Sequence, residues 1–77
     1  MRKCRLFFAQ FAILALDHPA AIRAGQLDAD LARQGQRIGP YDTLIAAITL
    51  NCDGTLVTHN TREFSRIRDL RIVDWHN

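Results

Sequence analysis

The segment 38–60 constrains the fold most, because it places a buried helix directly before a short strand. Gly39-Pro40 breaks the chain, and a helix is predicted from about Tyr41 to Asn51. This helix is apolar around most of its circumference, so it is expected to be buried. After a turn at Asp53-Gly54, Thr55–Thr58 is predicted to form a strand. A buried helix followed by a covered strand indicates an α/β protein.

The rest of the chain supplies further helices and strands. Asp17 suits a helix cap and Pro19 the first turn, so a helix is predicted from Asp17 to about Gly35. The continuous apolar run Ala12–Leu16 is typical of a parallel strand covered on both faces. The other predicted elements are the end of a helix over 5–12, one helical turn within 60–65 and a strand at 70–73. Because helices separate the strands, the sheet is predicted to be parallel.

Length and composition limit the class of protein. The 77 residues allow one domain, which would bury only about 60% of the surface that its unfolded chain exposes. Cys4 and Cys52 have no metal-binding spacing, so we expect two free thiols in a reducing cytoplasm. No run of about 18 apolar residues occurs, which excludes a membrane-spanning helix.

The charge of the chain is mildly basic and comes mostly from arginine. The net charge is +2, the pI is about 8.9, and Lys3 is the only lysine. Arginine binds phosphate bidentately, so a polyanionic partner fits, as does an ordinary solvated surface. The densest basic stretch contains Arg62, Arg66, Arg68 and Arg71. These side chains either hold RNA phosphates beside a metal site or form an exposed face.

Asp42 is the first candidate for chemistry, because it opens the buried helix. The positive end of the helix dipole favours an ionised carboxylate at this position. Facing the carboxyl edge of the sheet, Asp42 could bind Mg²⁺, which prefers carboxylates and water. The alternative is that Asp42 caps the helix, which would stabilise it by about 1 kcal/mol.

The polar residues after the strand Thr55–Thr58 are the second group of candidates. Asn60 offers a neutral carbonyl ligand and Glu63 a full negative charge, and both can approach the space above Asp42. Thr58 and Thr61 could hold these groups through hydrogen bonds. The alternative is a polar turn with an ordinary exposed glutamate. His59 could donate to a phosphate, or it could have no role.

The chain resembles the carboxyl-terminal part of VapC toxins, which are PIN-domain ribonucleases of toxin–antitoxin pairs. The resemblance runs from about Phe8 to Trp75. Its most specific parts are Ile38-Gly39-Pro40-Tyr41-Asp42 with Ile45-Ala46-Ala47, and the run Leu56-Val57-Thr58-His59-Asn60-Thr61-Arg62-Glu63-Phe64. Residues 1–77 would then be one truncated PIN domain.

The resemblance implies an α/β fold whose central parallel sheet is flanked by helices. An acidic cluster at the carboxyl edge would bind Mg²⁺ or Mn²⁺, which activates water against the scissile phosphate of RNA. By motif position Asp42 and Glu63 match catalytic, metal-binding acids, and Asn60 matches a metal ligand. The implied partners are transfer or ribosomal RNA, a cognate antitoxin and a second copy of the chain.

The chain also departs from the family pattern. The family begins with a strand ending in Asp-Thr/Ser-Asn, and a second acid lies on a later helix; residues 1–12 contain no Asp or Glu. Smaller departures are Leu27-Asp28, where relatives favour Ile-Arg, and Ala15, where they favour proline. A site with two carboxylates should hold Mg²⁺ weakly. We therefore expect a nuclease fragment that is inactive alone, or else a binding module that engages an antitoxin or an intact toxin subunit.

Overall fold

The computed structural model describes residues 5–74, which form a three-stranded parallel sheet and its flanking helices. The elements are β1 (Leu6–Phe8), α1 (Ala9–Ala12), a 3-10 turn (Ile13–Ala15), α2 (His18–Arg33), α3 (Pro40–Asn51), β2 (Thr55–Thr58), α4 (Thr61–Phe64) and β3 (Arg71–Asp74). The strand order is β1-β2-β3, and both pairings are parallel. The predicted fold class, a parallel sheet flanked by helices, is confirmed.

Helix α2 begins and ends where the sequence predicts. The carboxylate of Asp17 accepts a hydrogen bond from the backbone N–H of Ala20 at 3.0 Å, so Asp17 is the N-cap. Past its other end, Gly35 has a φ of +68°, a conformation that favours glycine. Ala20, Ala24 and Leu31 form the buried stripe that α2 packs against α3. This packing closes one side of the core.

Helix α3 is the central element of the core. Thr43 and the residues from Ile45 to Thr49 are all buried, in agreement with the apolar pattern. The hydroxyl of Thr49 donates to the carbonyl oxygen of Ile45 at 2.9 Å, which satisfies a polar group inside the core. The core cluster that includes Ile45 and Ala46 also contains Ala12, Leu31, Ile38, Leu56, Phe64 and Ile67. A helix buried on so many sides fixes the position of its first turn.

The prediction of a strand at Ala12–Leu16 is wrong. This segment is the end of α1 followed by the 3-10 turn, and Leu14 is 83% exposed. The place beside β2 is taken by β1 instead, where Phe7 pairs with Leu56 and the carbonyl of Arg5 accepts from the N–H of Thr55 at 2.8 Å. The predicted end of a helix over 5–12 is therefore correct only from Ala9 onward.

The remaining sequence predictions have mixed outcomes. Strand β2 has the predicted bounds, the helical turn is α4, and β3 lies one residue later than predicted. Cys52 is partly buried at the end of α3, whereas Cys4 and Trp75 lie outside the described residues. Within residues 5–74, no helix is long and apolar enough to cross a membrane.

Gly54 lies where β1 and β2 meet, and it has no room for a side chain. A Cβ atom at this position would lie 2.7 Å from two ring carbons of Phe7 and 3.1 Å from the carbonyl oxygen of Arg5. A side chain would therefore push the Phe7 ring and the β1 backbone away from β2. The unpredicted strand β1 thus depends on a glycine in the turn before β2.

We expect Gly54→Ala to destabilise the protein by about 1–3 kcal/mol, because overpacking displaces Phe7. Gly25→Ala is the matched control: Gly25 lies within α2 with nothing within 4 Å of the added carbon, so alanine should stabilise the helix by up to ~1 kcal/mol. Urea unfolding of both variants measures the difference. A neutral Gly54→Ala would mean that β1 does not pair with β2 as described.

Candidate functional site

The carboxyl ends of the three strands meet at one edge of the sheet, because both pairings are parallel. Phe8, Thr58 and Asp74 are the last residues of β1, β2 and β3, and Thr58 stands opposite Asp74 in the register. Ligand sites of open parallel sheets lie at this edge. Helix α4 follows β2 here, so its residues also belong to the edge.

Asp42 lies in the first turn of α3 and interacts directly with Glu63 of α4. Burial raises the pKa of Asp42 above its ordinary value of 3.8, and the charge of Glu63 and a hydrogen bond with that carboxyl raise it further. The N-cap of α3 is Gly39, and no side chain caps the helix. Asp42 is therefore not the cap that the alternative interpretation required. Two carboxyl groups this close favour a shared proton or a bound cation.

Asn60 and Thr58 connect β2 to this acidic pair. The backbone N–H of Asn60 donates to the Thr58 hydroxyl at 3.0 Å, which fixes the exit of the chain from β2. The Asn60 side-chain amide donates to Glu63 Oε1 at 3.3 Å. Glu63 thus interacts with both Asp42 and Asn60. Thr61 is the first residue of α4, and its carbonyl accepts from the N–H of Ser65 at 2.9 Å.

The oxygen ligands of this cluster are of the type that Mg²⁺ binds, but they carry few negative charges. Asp42 and Glu63 supply two carboxylates, and Asn60 could turn its amide oxygen toward a cation in place of its NH₂ group. Mg²⁺ prefers such ligands and retains several waters. Among residues 5–74, no group of three or more His, Cys, Asp or Glu side chains is placed to hold a metal. The site as described is two acids and an amide.

Two of the four arginines in the basic stretch lie in a groove away from the acidic pair. Arg66 and Arg68 line a groove of about 720 Å³ between α2 and the segment after α4. Arg66 donates to the carbonyl oxygen of Arg37 at 3.0 Å, in the loop before α3. The residues that line this groove include neither Asp42 nor Glu63. Arg62, by contrast, lies within α4 beside Glu63 and is exposed.

Arg71 lies at the opposite edge of the sheet. It is the first residue of β3 and pairs in register with Thr55, the first residue of β2. Its guanidinium donates to both the carbonyl oxygen and the carboxylate of Asp53, at 2.7 and 2.8 Å. Arg71 therefore fixes the turn before β2 and is directed away from the acidic cluster.

Sequence reasoning missed Asp74, which ends β3 at the carboxyl edge. Its carboxylate lies 3.6 Å from Nδ1 of His59, the residue between Thr58 and Asn60. The same rule that identified Asn60, a polar residue at the end of a strand, would have identified Asp74. Asp74 follows the predicted strand 70–73 directly, so this signal was present in the sequence.

The fold and the acidic cluster define an α/β protein with a candidate cation site at the carboxyl edge of a parallel sheet. No protein-family model matches the chain. Among curated proteins, the chain is 45% identical over 69 residues to the tRNA(fMet)-specific endonuclease VapC of Salmonella typhimurium, covering 90% of this chain and 52% of that protein. It is 33% identical over 75 residues to Ribonuclease VapC1 of Haemophilus influenzae strain R2866, covering 97% of this chain and 56% of that protein. Its curated relatives are thus VapC ribonucleases, which match 90–97% of this chain.

Solved structures show the same similarity. The DNA-bound VapBC of Salmonella typhimurium matches with a TM-score of 0.73 and 48% identity, over 78% of this chain and 46% of that chain. VapBC-1 from nontypeable Haemophilus influenzae matches with a TM-score of 0.71 and 37% identity, over 78% of this chain and 45% of that chain. The chain thus spans about half the length of the relatives that it matches.

We expect Asp42→Asn to stabilise the protein at neutral pH without divalent cations, by less than about 1 kcal/mol. A raised pKa means that protonation of Asp42 stabilises the fold fully below pH 3.8, and this contribution is lost as the pH rises through the raised value. The asparagine side chain of the variant does not ionise, so its stability is not lost as the pH rises. Thermal unfolding between pH 3 and 8 measures the effect, and wild type and variant should converge below pH 3.8.

The matched control for this prediction is Asp69→Asn, which removes an exposed carboxylate in the segment between α4 and β3. Its unfolding should follow the wild-type pH profile. If Asp42→Asn and Asp69→Asn gave the same profile, the contact between Asp42 and Glu63 would not be formed in solution.

Proposed function

We propose that the chain is the metal-binding, carboxyl-terminal portion of a VapC-type endoribonuclease and is inactive alone. The observation that carries the proposal is the convergence of Asp42 and Glu63, with Asn60 donating to Glu63, at the carboxyl edge of the sheet. Similarity to VapC ribonucleases supports RNA as the substrate. The proposed site residues are Asp42, Asn60 and Glu63, with Thr58 and Thr61 holding the chain around them.

The chain's own residues would divide the work of this site. Asp42 and Glu63 would hold Mg²⁺ or Mn²⁺ through their carboxylates, and the cation supplies an activated water and stabilises charge on the phosphate. Asn60 would orient Glu63 and offer its amide oxygen. The Thr58 hydroxyl accepts from the backbone N–H of Asn60 and so holds the chain at the start of α4. Arg62 would contact an RNA phosphate, which positions the strand.

The low charge of the site supports inactivity. Two carboxylates only balance the charge of a divalent cation, before any phosphate is bound. Mg²⁺ dehydrates reluctantly and requires near-octahedral ligands, so a half-complete set of carboxylates should bind it weakly. Further acids would come from the part of a VapC-length protein that this chain does not match. The cation site is therefore proposed to be complete only in a longer assembly.

The names of the relatives suggest the substrate and the partner. One relative is a tRNA(fMet)-specific endonuclease, and the matching structures are VapBC complexes, two of them bound to DNA. We propose transfer RNA as the RNA class and a VapB-type antitoxin as the protein partner. The antitoxin could bind without any catalysis, which keeps the binding-module function as the second candidate.

The purified chain should bind Mn²⁺ weakly and should not cleave initiator transfer RNA. Titration calorimetry is expected to give a dissociation constant in the millimolar range, and Asp42→Asn or Glu63→Gln should abolish the signal because each removes half the charge. Asp69→Asn, which removes an exposed carboxylate in the segment between α4 and β3, should leave it unchanged. Robust RNA cleavage that disappears in Asp42→Ala would contradict the proposed inactivity.

Arg62 and Arg71 should differ in their effect on RNA binding. Arg62→Gln should weaken transfer-RNA binding, because Arg62 lies beside the acidic cluster. The slope of the logarithm of the binding constant against the logarithm of the salt concentration should become shallower by about 1, the value for one lost phosphate contact. Arg71→Gln removes the same charge from the opposite edge and should have a smaller effect on the slope. Filter binding at several salt concentrations measures both variants. Equal effects would favour non-specific attraction to the chain's net charge.

A further inference from the structure

A pocket of about 250 Å³ lies where the carboxyl ends of β1 and β2 meet, and we call it the edge pocket. Phe8 and Gln10 line it from the end of β1 and the start of α1, and Val57, His59 and Asn60 line it from β2 and its exit. Ligands of open α/β sheets bind in crevices at the carboxyl ends of the strands. The position of the edge pocket therefore indicates a ligand site.

The walls of the edge pocket combine an aromatic ring with an aliphatic side chain. Phe8 pairs in register with Val57, so both project from the same face of the sheet, and Phe8 is 36% exposed. An accessible aromatic ring offers a stacking surface for a flat ligand. The volume lies below the range of about 300–1,000 Å³ that is usual for drug-sized ligands. The edge pocket therefore suits one flat ring system.

The lining of the edge pocket also includes two amide side chains. Gln10 is exposed, so its amide group is accessible to a ligand in the pocket. A glutamine amide donates from its nitrogen and accepts at its oxygen, and this pair matches N7 and the N6 amino group of adenine. The Asn60 amide nitrogen, by contrast, already donates to Glu63 at 3.3 Å. Gln10 is therefore the side chain that is placed to recognise the edge of a base.

Asn60 connects the edge pocket to the acidic cluster, because it lines the pocket and also donates to Glu63. A ring in the pocket would lie beside Asn60, and a phosphate attached to it would lie near the cation proposed at Asp42 and Glu63. A nucleotide carries both parts, a flat base for the pocket and a phosphate that a bound cation attracts. An apolar peptide side chain would match the walls alone. The combination therefore favours a nucleotide.

We propose that the edge pocket binds an unpaired adenine base of the RNA substrate, stacked on the Phe8 ring and paired with the Gln10 amide. The choice of RNA as the ligand rests on the proposed function. Unpaired RNA bases are recognised by stacking on aromatic rings and by hydrogen bonds to their edges. The pocket selects the nucleotide next to the phosphate that the cation holds. Phe8 and Gln10 thus determine specificity and take no part in the cleavage step.

The experiment compares adenosine with inosine by NMR chemical-shift titration of the whole chain without divalent cations. The two nucleosides differ at position 6 of the purine, where inosine carries an oxygen in place of the amino group. We expect a millimolar dissociation constant for adenosine and about 5-fold weaker binding of inosine, because the Gln10 amide oxygen then lacks a donor. Equal affinities, or no binding of adenosine at millimolar concentration, would overturn the proposal.

Two pairs of matched substitutions locate the binding site. Gln10→Leu should give the two nucleosides equal affinity, whereas Gln36→Leu, at an exposed glutamine outside the pocket, should preserve the difference. Phe8→Leu should weaken both nucleosides about 10-fold, because it removes the stacking surface. Phe11→Leu should weaken neither, since Phe11 is 61% exposed on α1 and does not line the pocket. Because Gln10 is exposed, its substitution stays informative if Phe8→Leu disturbs β1; equal effects within the glutamine pair would contradict binding in the edge pocket.

Binding of Mn²⁺, measured separately, distinguishes this proposal from the proposed function. Adenosine binding that requires Gln10, in a chain that binds no Mn²⁺, would leave the base pocket standing and contradict the metal-dependent nuclease. If Mn²⁺ binding requires Asp42 and Glu63 but adenosine and inosine bind equally or not at all, the base pocket fails and the metal site survives.

Discussion

The central strand β2 is the constraint on which the rest of the structure depends. It pairs with β1 on one side and β3 on the other, and Leu56 and Val57 are buried on its two faces. Its beginning is fixed by Gly54, which admits the Phe7 ring, and its end by the Thr58 hydroxyl, which accepts from Asn60. These residues of β2 and the turn before it therefore set the register of the sheet and the position of the candidate site: Gly54, Leu56, Val57 and Thr58. A one-residue slip would exchange the buried and exposed rows and move Asn60 away from Glu63.

The acidic cluster has an electrostatic cost that only a ligand or a proton can offset. Asp42 is partly desolvated and faces Glu63, and the Asn60 amide compensates only one side of Glu63. Groups that disfavour their own charged state are characteristic of functional sites, because binding energy then replaces the missing solvation. The cluster contributes nothing evident to the core, which is filled by α2, α3 and the buried row of the sheet. A bound cation, as proposed, would offset this cost.

Local sequence signals predicted α2, α3 and β2, because each is marked by a cap, a period or a turn. The roles of Asp42, Asn60 and Glu63 rest on the resemblance and on their places after a chain break and a strand, and they stay a prediction. Asp17 and Pro19 mark a helix start whatever the surroundings, and Asp53-Gly54 marks a turn. β1 carries no such mark. Leu6–Phe8 and Ala12–Leu16 are both apolar, and which of them pairs with β2 is decided by tertiary fit, including the space that Gly54 leaves for Phe7. Asp74 carries the same signal as Asn60, because it lies at the end of a strand, and the structure places it at the carboxyl edge beside His59.

The apolar side chains on the second face of the sheet adjoin the acidic cluster at the carboxyl edge. Phe8 and Val73 are 36% and 47% exposed, and they flank the buried Val57 in register. The edge pocket, of about 250 Å³, has walls that include Phe8 and Val57 and extends to His59 and Asn60, and the Asn60 amide donates to Glu63. Two carboxylates are marginal for a divalent cation. A group that occupied this pocket would therefore lie beside the acidic cluster, where its charge would raise or lower the affinity of the proposed cation site.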